Sequence, residues 1–252
     1  MREIKLKYKS KELSIEIPAS WKELNAEQFV AASKMYLGGI KTDQFIRDFF
    51  SIPEKMCKLL SNYHKYKLIE MVEFLKDARV PYNEFFLDAI PGTDFYAPGP
   101  KLDGVCFQQF MMVDTYFYKY VQTQSIDWLD YMIACLYIRD NECFVLSGKD
   151  ENLLDLEKRI PQIHAVDYTI KYAIFLNFIL IKRWLGGAYI HLFPEADNTT
   201  AAGNSTPVKW LDIFDRFVGD NIPYMDKYQA MACTDAFRIM NRKIKEAKKN
   251  DK

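Results

Sequence analysis

The sequence predicts a mainly α-helical fold, a multi-helix bundle-like domain with a small β-hairpin at its N-terminus. Three observations predict it. After the first 25 residues, apolar side chains recur at i, i+3, i+4 and i+7, which is helical spacing. The first 17 residues alternate charged and apolar side chains instead, as the strands of a hairpin do. Glycine and proline stand between the helical stretches, where they end helices.

The composition is that of a globular protein, with 49% hydrophobic and 27% charged residues among 252. Basic and acidic residues balance at 34 each, which makes a nucleic-acid partner unlikely because such proteins usually carry a basic excess. The 16 tyrosines and 18 phenylalanines can fill a large core, and they are also residue types that anchor protein interfaces. The five scattered cysteines contain no CxxC pair, which favours reduced thiols in a cytosolic environment.

Residues 1–80 are expected to form the hairpin and a set of short helices. Ile4 lies on the apolar face of the first strand and Ile15 on that of the second. Asn25 and Gln28 form a capping-box pattern at the start of a helix that Gly38 ends. Further short helices are predicted from about residue 42 to 52, from 53 to 61 and from 66 to 76.

Residues 81–106 are a connector rich in proline and glycine, in which no regular element is predicted. It contains the adjacent aromatics Phe95 and Tyr96. Two interpretations stay open. The connector is either a binding element, since two aromatics are costly to expose without purpose, or a plain crossover between two helical layers.

Residues 107–252 are predicted to form a helical core domain. The stretch 107–140 organises it as two amphipathic helices joined near Gln124 and Ser125. A short helix is expected over 151–160, and a central helix follows that contains the apolar run 172–181. This run is too short to cross a bilayer, which needs about 20 apolar residues. Residues 194–207 are expected to be a flexible loop, followed by a helix up to Gly219 and another from about Tyr224.

No sequence motif for catalysis is found: neither a phosphate-binding glycine loop nor GxSxG nor HExxH occurs. We therefore predict no catalytic, cofactor-binding or metal-binding residue. The carboxylate pairs Asp127/Asp130 and Asp212/Asp215 have i, i+3 spacing, but the Glu-x-x-His motif of di-iron bundles is absent, so solvated helix faces are expected. Arg139, which follows an apolar run, is expected to have a structural role.

The order of the segments resembles a known family. The hairpin leads through IPASW into a helix that begins LNAEQF, and the chain later contains KWLDIFDRFVGD. Between them lies a D-x-x-x-A-x-L-Y-x-R segment, formed by Asp130, Ala134, Leu136, Tyr137 and Arg139. This order is similar to that of helical proteins encoded in tail-module regions of Bacteroidota phages and prophages, which are regarded as tail-assembly-chaperone-like.

The resemblance implies a non-enzymatic protein that binds a tape-measure chain or another virion protein in the host cytoplasm during tail or virion assembly. It implies no cofactor and no membrane, and a homo-oligomer is a further option. Shielding an apolar helical partner would need an aromatic and methionine-rich surface. The candidate contact residues are Phe95, Tyr96, Met111, Met112, Tyr116 and Tyr120.

Two alternatives stay open. The chain could be a virion structural subunit, such as a neck, ring or tail component, whose hairpin adds strands to a neighbour. The less favoured alternative is an enzyme with an unrecognised site, for which a deep pocket around His164 or His191 would be the sign.

Overall fold

A computed structural model of the chain describes residues 2–8, 11–78, 80–140, 142–144, 152–193 and 210–250. It is mainly α-helical with an antiparallel two-stranded sheet at the N-terminus, which confirms the predicted fold class. The predicted flexible loop 194–207 lies outside the described residues. Buried side chains from 1–80, from 81–106 and from 107–252 all belong to one hydrophobic core.

The elements have the following bounds. The helices are α1 (Ala26–Leu37), α2 (Thr42–Phe49), α3 (Glu54–Cys57), α4 (Asn62–Met71), α5 (Phe107–Thr123), α6 (Ile126–Leu136), α7 (Leu156–His164), α8 (Tyr168–Ala188), α9 (Trp210–Val218), α10 (Met225–Ala230) and α11 (Cys233–Asn250). The strands are β1 (Arg2–Tyr8), β2 (Lys11–Ile17) and the short parallel pair β3 (Glu142–Cys143) and β4 (Asn152–Leu153).

The predicted hairpin is confirmed, and in its register Ile4 lies opposite Ile15. Ile15 and Ile17 are buried in the common core. This packing stabilises the hairpin, since an isolated two-stranded hairpin is only marginally stable in water. A second link holds the chain after the hairpin: the indole Nε1 of Trp21 donates a hydrogen bond to the carbonyl of Asp77 at 2.9 Å.

Helix ends follow the local capping signals where those are present. The capping box of α1 is confirmed: the Asn25 side chain accepts from the backbone N–H of Gln28 at 2.9 Å, and the Gln28 side chain accepts in return at 3.1 Å. α4 begins before residue 66 because Ser61 caps it by accepting from the N–H of His64. α7 begins after residue 151 because Asp155 caps it at the N–H of Lys158.

The centre of the molecule is formed by α5, α6 and α8. α5 and α6 pack against each other and are joined at Gln124, which has a left-handed φ of 55°, so the predicted junction is confirmed. Ser125 occupies the N-cap position of α6, but its side chain makes no capping hydrogen bond. α8 is buried along most of its length, as the apolar run predicts, and it continues through the two glycines to Ala188.

The connector 81–106 is irregular apart from one 3-10 turn, as predicted, yet its apolar side chains lie in the core. Asn177 of α8, itself buried, accepts from the N–H of Phe86 at 2.8 Å and donates to the carbonyl of Glu84 at 2.9 Å. Tyr96 forms an antiparallel bridge with Ile138 at the end of α6. Of the two aromatics on which the binding interpretation rests, Phe95 is buried and Tyr96 is 43% exposed.

The predicted single helix from Tyr224 is wrong, because it is broken at Met231 and Ala232 into α10 and α11. The carbonyl of Met231 accepts from the N–H of Phe107 at 2.8 Å, and the N–H of Cys233 donates to Val105 at 2.9 Å. These backbone groups are satisfied by the segment before α5 instead of by a continuous helix.

The expectation of a solvated face is wrong for Asp130, although Asp127, Asp212 and Asp215 are exposed. Asp130 is completely buried, and its carboxylate pairs with the Lys171 ammonium at 2.7 Å and with His164 Nδ1 at 2.8 Å. Asp130 falls on the apolar stripe of α6, so it turns inward with the stripe and needs a buried partner.

Candidate protein-binding groove

An apolar groove of about 480 Å³ lies between α5, α9 and α10. We call it the α5/α9 groove. α5 contributes a stripe at helical spacing, formed by Gln108, Met111, Met112, Thr115, Tyr116 and Lys119. This stripe covers about 16 Å of helix at a rise of about 1.5 Å per residue. The opposite wall consists of Trp210, Leu211, Phe214, Asp215, Met225 and Gln229.

α9 forms its wall because it is strongly amphipathic. Trp210, Phe214 and Phe217 are buried, and their rings surround that of Phe107 at centroid distances of 5.9, 6.0 and 5.9 Å. Leu211 does not belong to this buried face and is 75% exposed at the rim of the groove. One face of α9 is therefore buried in the core, and Leu211 on the adjacent face lines the groove.

A buried carboxylate fixes Trp210. Asp114 of α5 is completely buried and accepts a hydrogen bond from the indole Nε1 of Trp210 at 2.8 Å. Its other oxygen forms an ion pair with the ammonium of Lys182 in α8. The Lys182 ammonium also lies 4.0 Å from the centre of the Tyr118 ring. The wall of the groove is thus tied to the core by charge-assisted bonds in a site of low dielectric.

One end of the groove carries a cation above an aromatic cluster. Tyr116 stacks on Tyr131 at 5.2 Å and on Trp128 at 5.9 Å. The Lys119 ammonium lies 4.0 Å from the Trp128 ring centre, which is a cation–π contact. Burial raises the pKa of the Tyr116 hydroxyl, which therefore stays neutral over the physiological range.

Three of the six predicted contact residues, Met111, Met112 and Tyr116, line the α5/α9 groove. Tyr96 is 43% exposed but lies in a separate depression of about 190 Å³ beside Arg139. The groove therefore gathers half of the predicted surface, all of it from one face of α5.

Phe95 and Tyr120 correct the prediction, because both side chains lie in the core. The Phe95 ring is held between the guanidinium groups of Arg139 and Arg159, at 4.4 and 4.6 Å from its centre. Arg139 also pairs with Asp94 and Glu142, in keeping with a structural role. The Tyr120 hydroxyl bonds to that of Tyr168 at 2.9 Å, and burial raises its pKa.

Comparisons of the chain with protein-family models, curated proteins and solved structures find no match. The family resemblance thus stays a prediction. Within the described ranges, no single helix is long and apolar enough to cross a bilayer; α7 and α8 together pass that test of length and composition, but they are bent by 117°.

The far wall of the groove was not predicted. Trp210, Phe214 and Met225 carry no sign of it in the sequence beyond their helical spacing. Leu211 falls outside the apolar stripe of its own helix, but single exposed leucines are common on protein surfaces, so it carried no sign of the groove either.

A second polar cluster surrounds Asp130. The carboxylate orients the His164 imidazole, which is largely exposed, while the Lys171 ammonium also donates to the carbonyl of His164 at 3.0 Å. Neither the α5/α9 groove nor the depression beside Arg139 is lined by His164 or His191. In the described part of the chain, no three His, Cys, Asp or Glu side chains are grouped so that they could hold a metal ion.

Proposed function

We propose that the chain is a non-enzymatic binding protein that holds an apolar helical segment of another protein in the α5/α9 groove. The observation that carries the proposal is the stripe of α5 that the described residues cover only in part, where Met111, Met112 and Tyr116 remain half-buried opposite an exposed Leu211. A groove of this kind between helices is the usual receptor for an amphipathic helix.

The groove suits such a partner in two physical respects. Its wall at Trp210 is fixed to the core by the bonds of Asp114, so less conformational entropy is lost there on binding. Its surface contains three methionines, at positions 111, 112 and 225, whose flexible thioethers adapt to different apolar side chains. A partner that buries Leu211 gains about 1.5–3 kcal/mol from this side chain.

The family resemblance supplies the biological setting of the proposal. The partner would be a tape-measure chain or another virion protein, which is shielded in the host cytoplasm until it is assembled. Neutral overall charge and the lack of a recognised catalytic motif agree with this setting.

The test uses a labelled amphipathic peptide of about 14 residues, with leucines at i, i+3, i+4 and i+7 and uncharged side chains elsewhere. Fluorescence anisotropy measures its binding to the wild-type protein and to L211D. We expect binding at one peptide per chain, and a loss of at least about tenfold in affinity for L211D, which places an unpaired carboxylate in the apolar contact.

The matched control is L59D, because Leu59 is 54% exposed and lies between α3 and α4, outside the groove lining. This variant should bind the peptide as the wild type does. The proposal fails if the peptide does not bind, or if L211D and L59D reduce binding equally.

One observation favours the alternative of a virion structural subunit: in the described residues, β1 and β2 pair only with each other. Their outer edges could accept a strand from a neighbouring subunit. Light scattering over a concentration series separates the two functions. A monomer or small oligomer agrees with the binding protein, whereas rings or filaments indicate the structural subunit.

A further inference from the structure

We infer that the α5/α9 groove recognises charge as well as apolar surface, and that its partner is an amphipathic helix with a basic side chain at one end of its apolar stripe and an acidic side chain at the other. The inference rests on the proposed function and specifies the partner of that site. It follows from the position of two groove residues of opposite charge, Asp215 and Lys119.

Asp215 marks the end of the groove at the start of α5. Phe214 and Phe217, on either side of it in α9, pack on Phe107, the first residue of α5. The backbone N–H of Phe107 is in turn bonded to Met231, directly after α10. The Asp215 carboxylate is therefore placed where α9 and α10 converge on the N-terminal end of α5.

Lys119 marks the other end. It lies about three helical turns further along α5, roughly 16 Å from Gln108 at the start of the stripe. Its ammonium is in contact with the rings of Trp128 and Tyr116, at 4.0 and 5.6 Å from their centres. The rings hold the cation beside the groove, of which Lys119 and Tyr116 are lining residues.

Neither charge is neutralised by a side chain that the structure describes. Among the described residues, no carboxylate lies within ion-pair distance of Lys119 and no basic side chain within that distance of Asp215, although ion pairs are frequent elsewhere on the surface. An acidic group of the partner beside Lys119 and a basic group beside Asp215 would complete both. Partial exclusion of water by the bound helix makes these pairs stronger than ordinary surface pairs.

The geometry also sets the spacing of the partner's charges. Since Gln108 and Lys119, at the two ends of the α5 stripe, are about three turns apart, we place the partner's opposite charges about 11 residues apart, at the two ends of its apolar stripe. The order of the charges along a given helix then determines the chain direction in which that helix enters the groove.

The experiment is a charge-swap cycle with peptides of the same apolar stripe. One peptide has a glutamate at one end and a lysine at the other, a second has two lysines, and a third has two glutamines. The proteins are the wild type, K119E, D215K, the double variant K119E/D215K and L211D, with circular dichroism to verify that each is folded. K119Q is a control for K119E, because it removes the positive charge and the cation–π contact of Lys119 without adding a negative charge.

We expect the wild type to bind the mixed-charge peptide about tenfold more tightly than the peptide with two glutamines, a difference of about 1.4 kcal/mol. K119E should reverse the preference towards the peptide with two lysines, because both ends of the groove are then acidic. The double variant should recover tight binding of the mixed-charge peptide, because that peptide can turn round. These charge effects should shrink at high salt.

The outcome separates the inference from the proposed function. If L211D abolishes binding of all three peptides while the charge variants bind them with equal affinity, the groove is used but charge recognition is refuted. If the double variant does not regain affinity for the mixed-charge peptide although it is folded, charge order is refuted as well. If none of the peptides binds the wild type, the proposed function itself fails.

Discussion

Replacing Lys182 with methionine should destabilise the protein by about 3–5 kcal/mol, the usual cost of leaving one member of a buried ion pair without its partner. Asp114 is completely buried, so its carboxylate cannot turn to water when the ammonium is removed. The Trp210 indole N–H would remain as its hydrogen-bond donor. A single neutral donor does not compensate for the buried charge.

Removing the anion of the pair instead, with D114N, should lower the free energy of unfolding by a smaller amount, about 1–3 kcal/mol. The Lys182 side chain is 16% exposed, and its flexible stem allows the ammonium to reach solvent. The amide oxygen of asparagine can still accept the hydrogen bond from Trp210. The structure therefore predicts an asymmetry, in which removing the cation is more harmful than removing the anion.

Urea denaturation followed by circular dichroism measures both variants, and the double variant D114L/K182M completes the cycle. The double variant should be more stable than K182M alone, because no charge is left buried. It should stay below the wild type by about 1–3 kcal/mol, the cost of the unpaired indole N–H. The reasoning is refuted if D114N is as harmful as K182M, or if K182M costs less than about 1 kcal/mol.

Two further predictions concern buried groups elsewhere. K171M should lower the free energy of unfolding by about 3–5 kcal/mol in the same urea assay, because the buried Asp130 carboxylate loses its ion-pair partner. Adding D130L should restore much of this loss, because it removes that carboxylate. Equal stability of K171M and the double variant would contradict the prediction. Burial raises the pKa of both Tyr36 and Tyr82 to about 12, against about 10 in the unfolded chain. Their contribution to stability is therefore complete below about pH 10 and is lost as the pH rises towards 12, by at most about 1.4 kcal/mol per pH unit for each group. The melting temperature should fall from pH 10 to 11. Over the same range, tyrosinate absorbance should rise less in the folded protein than in the unfolded protein. Ionisation of all tyrosines together in the folded state would contradict the raised pKa of Tyr36 and Tyr82.

The parts of the fold that were predicted are those with a local physical signal. The capping box at Asn25 and the junction at Gln124 are determined by residues within a few positions of each other. The break at Met231 has no such signal. It depends on backbone bonds to Val105 and Phe107, more than 120 positions earlier in the chain, and these override the helical periodicity of the segment.

One side of the α5/α9 groove was predicted and the other was not, because only the first has a local signal in the sequence. Met111, Met112 and Tyr116 form a stripe within one helix, which the sequence displays, whereas the wall opposite comes from α9 and α10. Asp114, a carboxylate on the apolar stripe of its helix, could have been used to predict a contact between α5 and another element. A charge at such a position is buried with the stripe, and it must have a partner from another element.

The covering of α5 gives the physical argument for a partner. Its face with Phe110, Val113 and Phe117 is buried in the core, where the Phe117 ring packs on Phe175 of α8 and the Phe110 ring on Phe237 of α11. A helix that is also apolar on its next face needs a cover there as well, because exposed apolar area is unfavourable in water. α9 and α10 provide this cover only in part, since the groove remains between them and α5. The part of α5 that the described residues leave uncovered is the surface to which the proposed partner helix would bind.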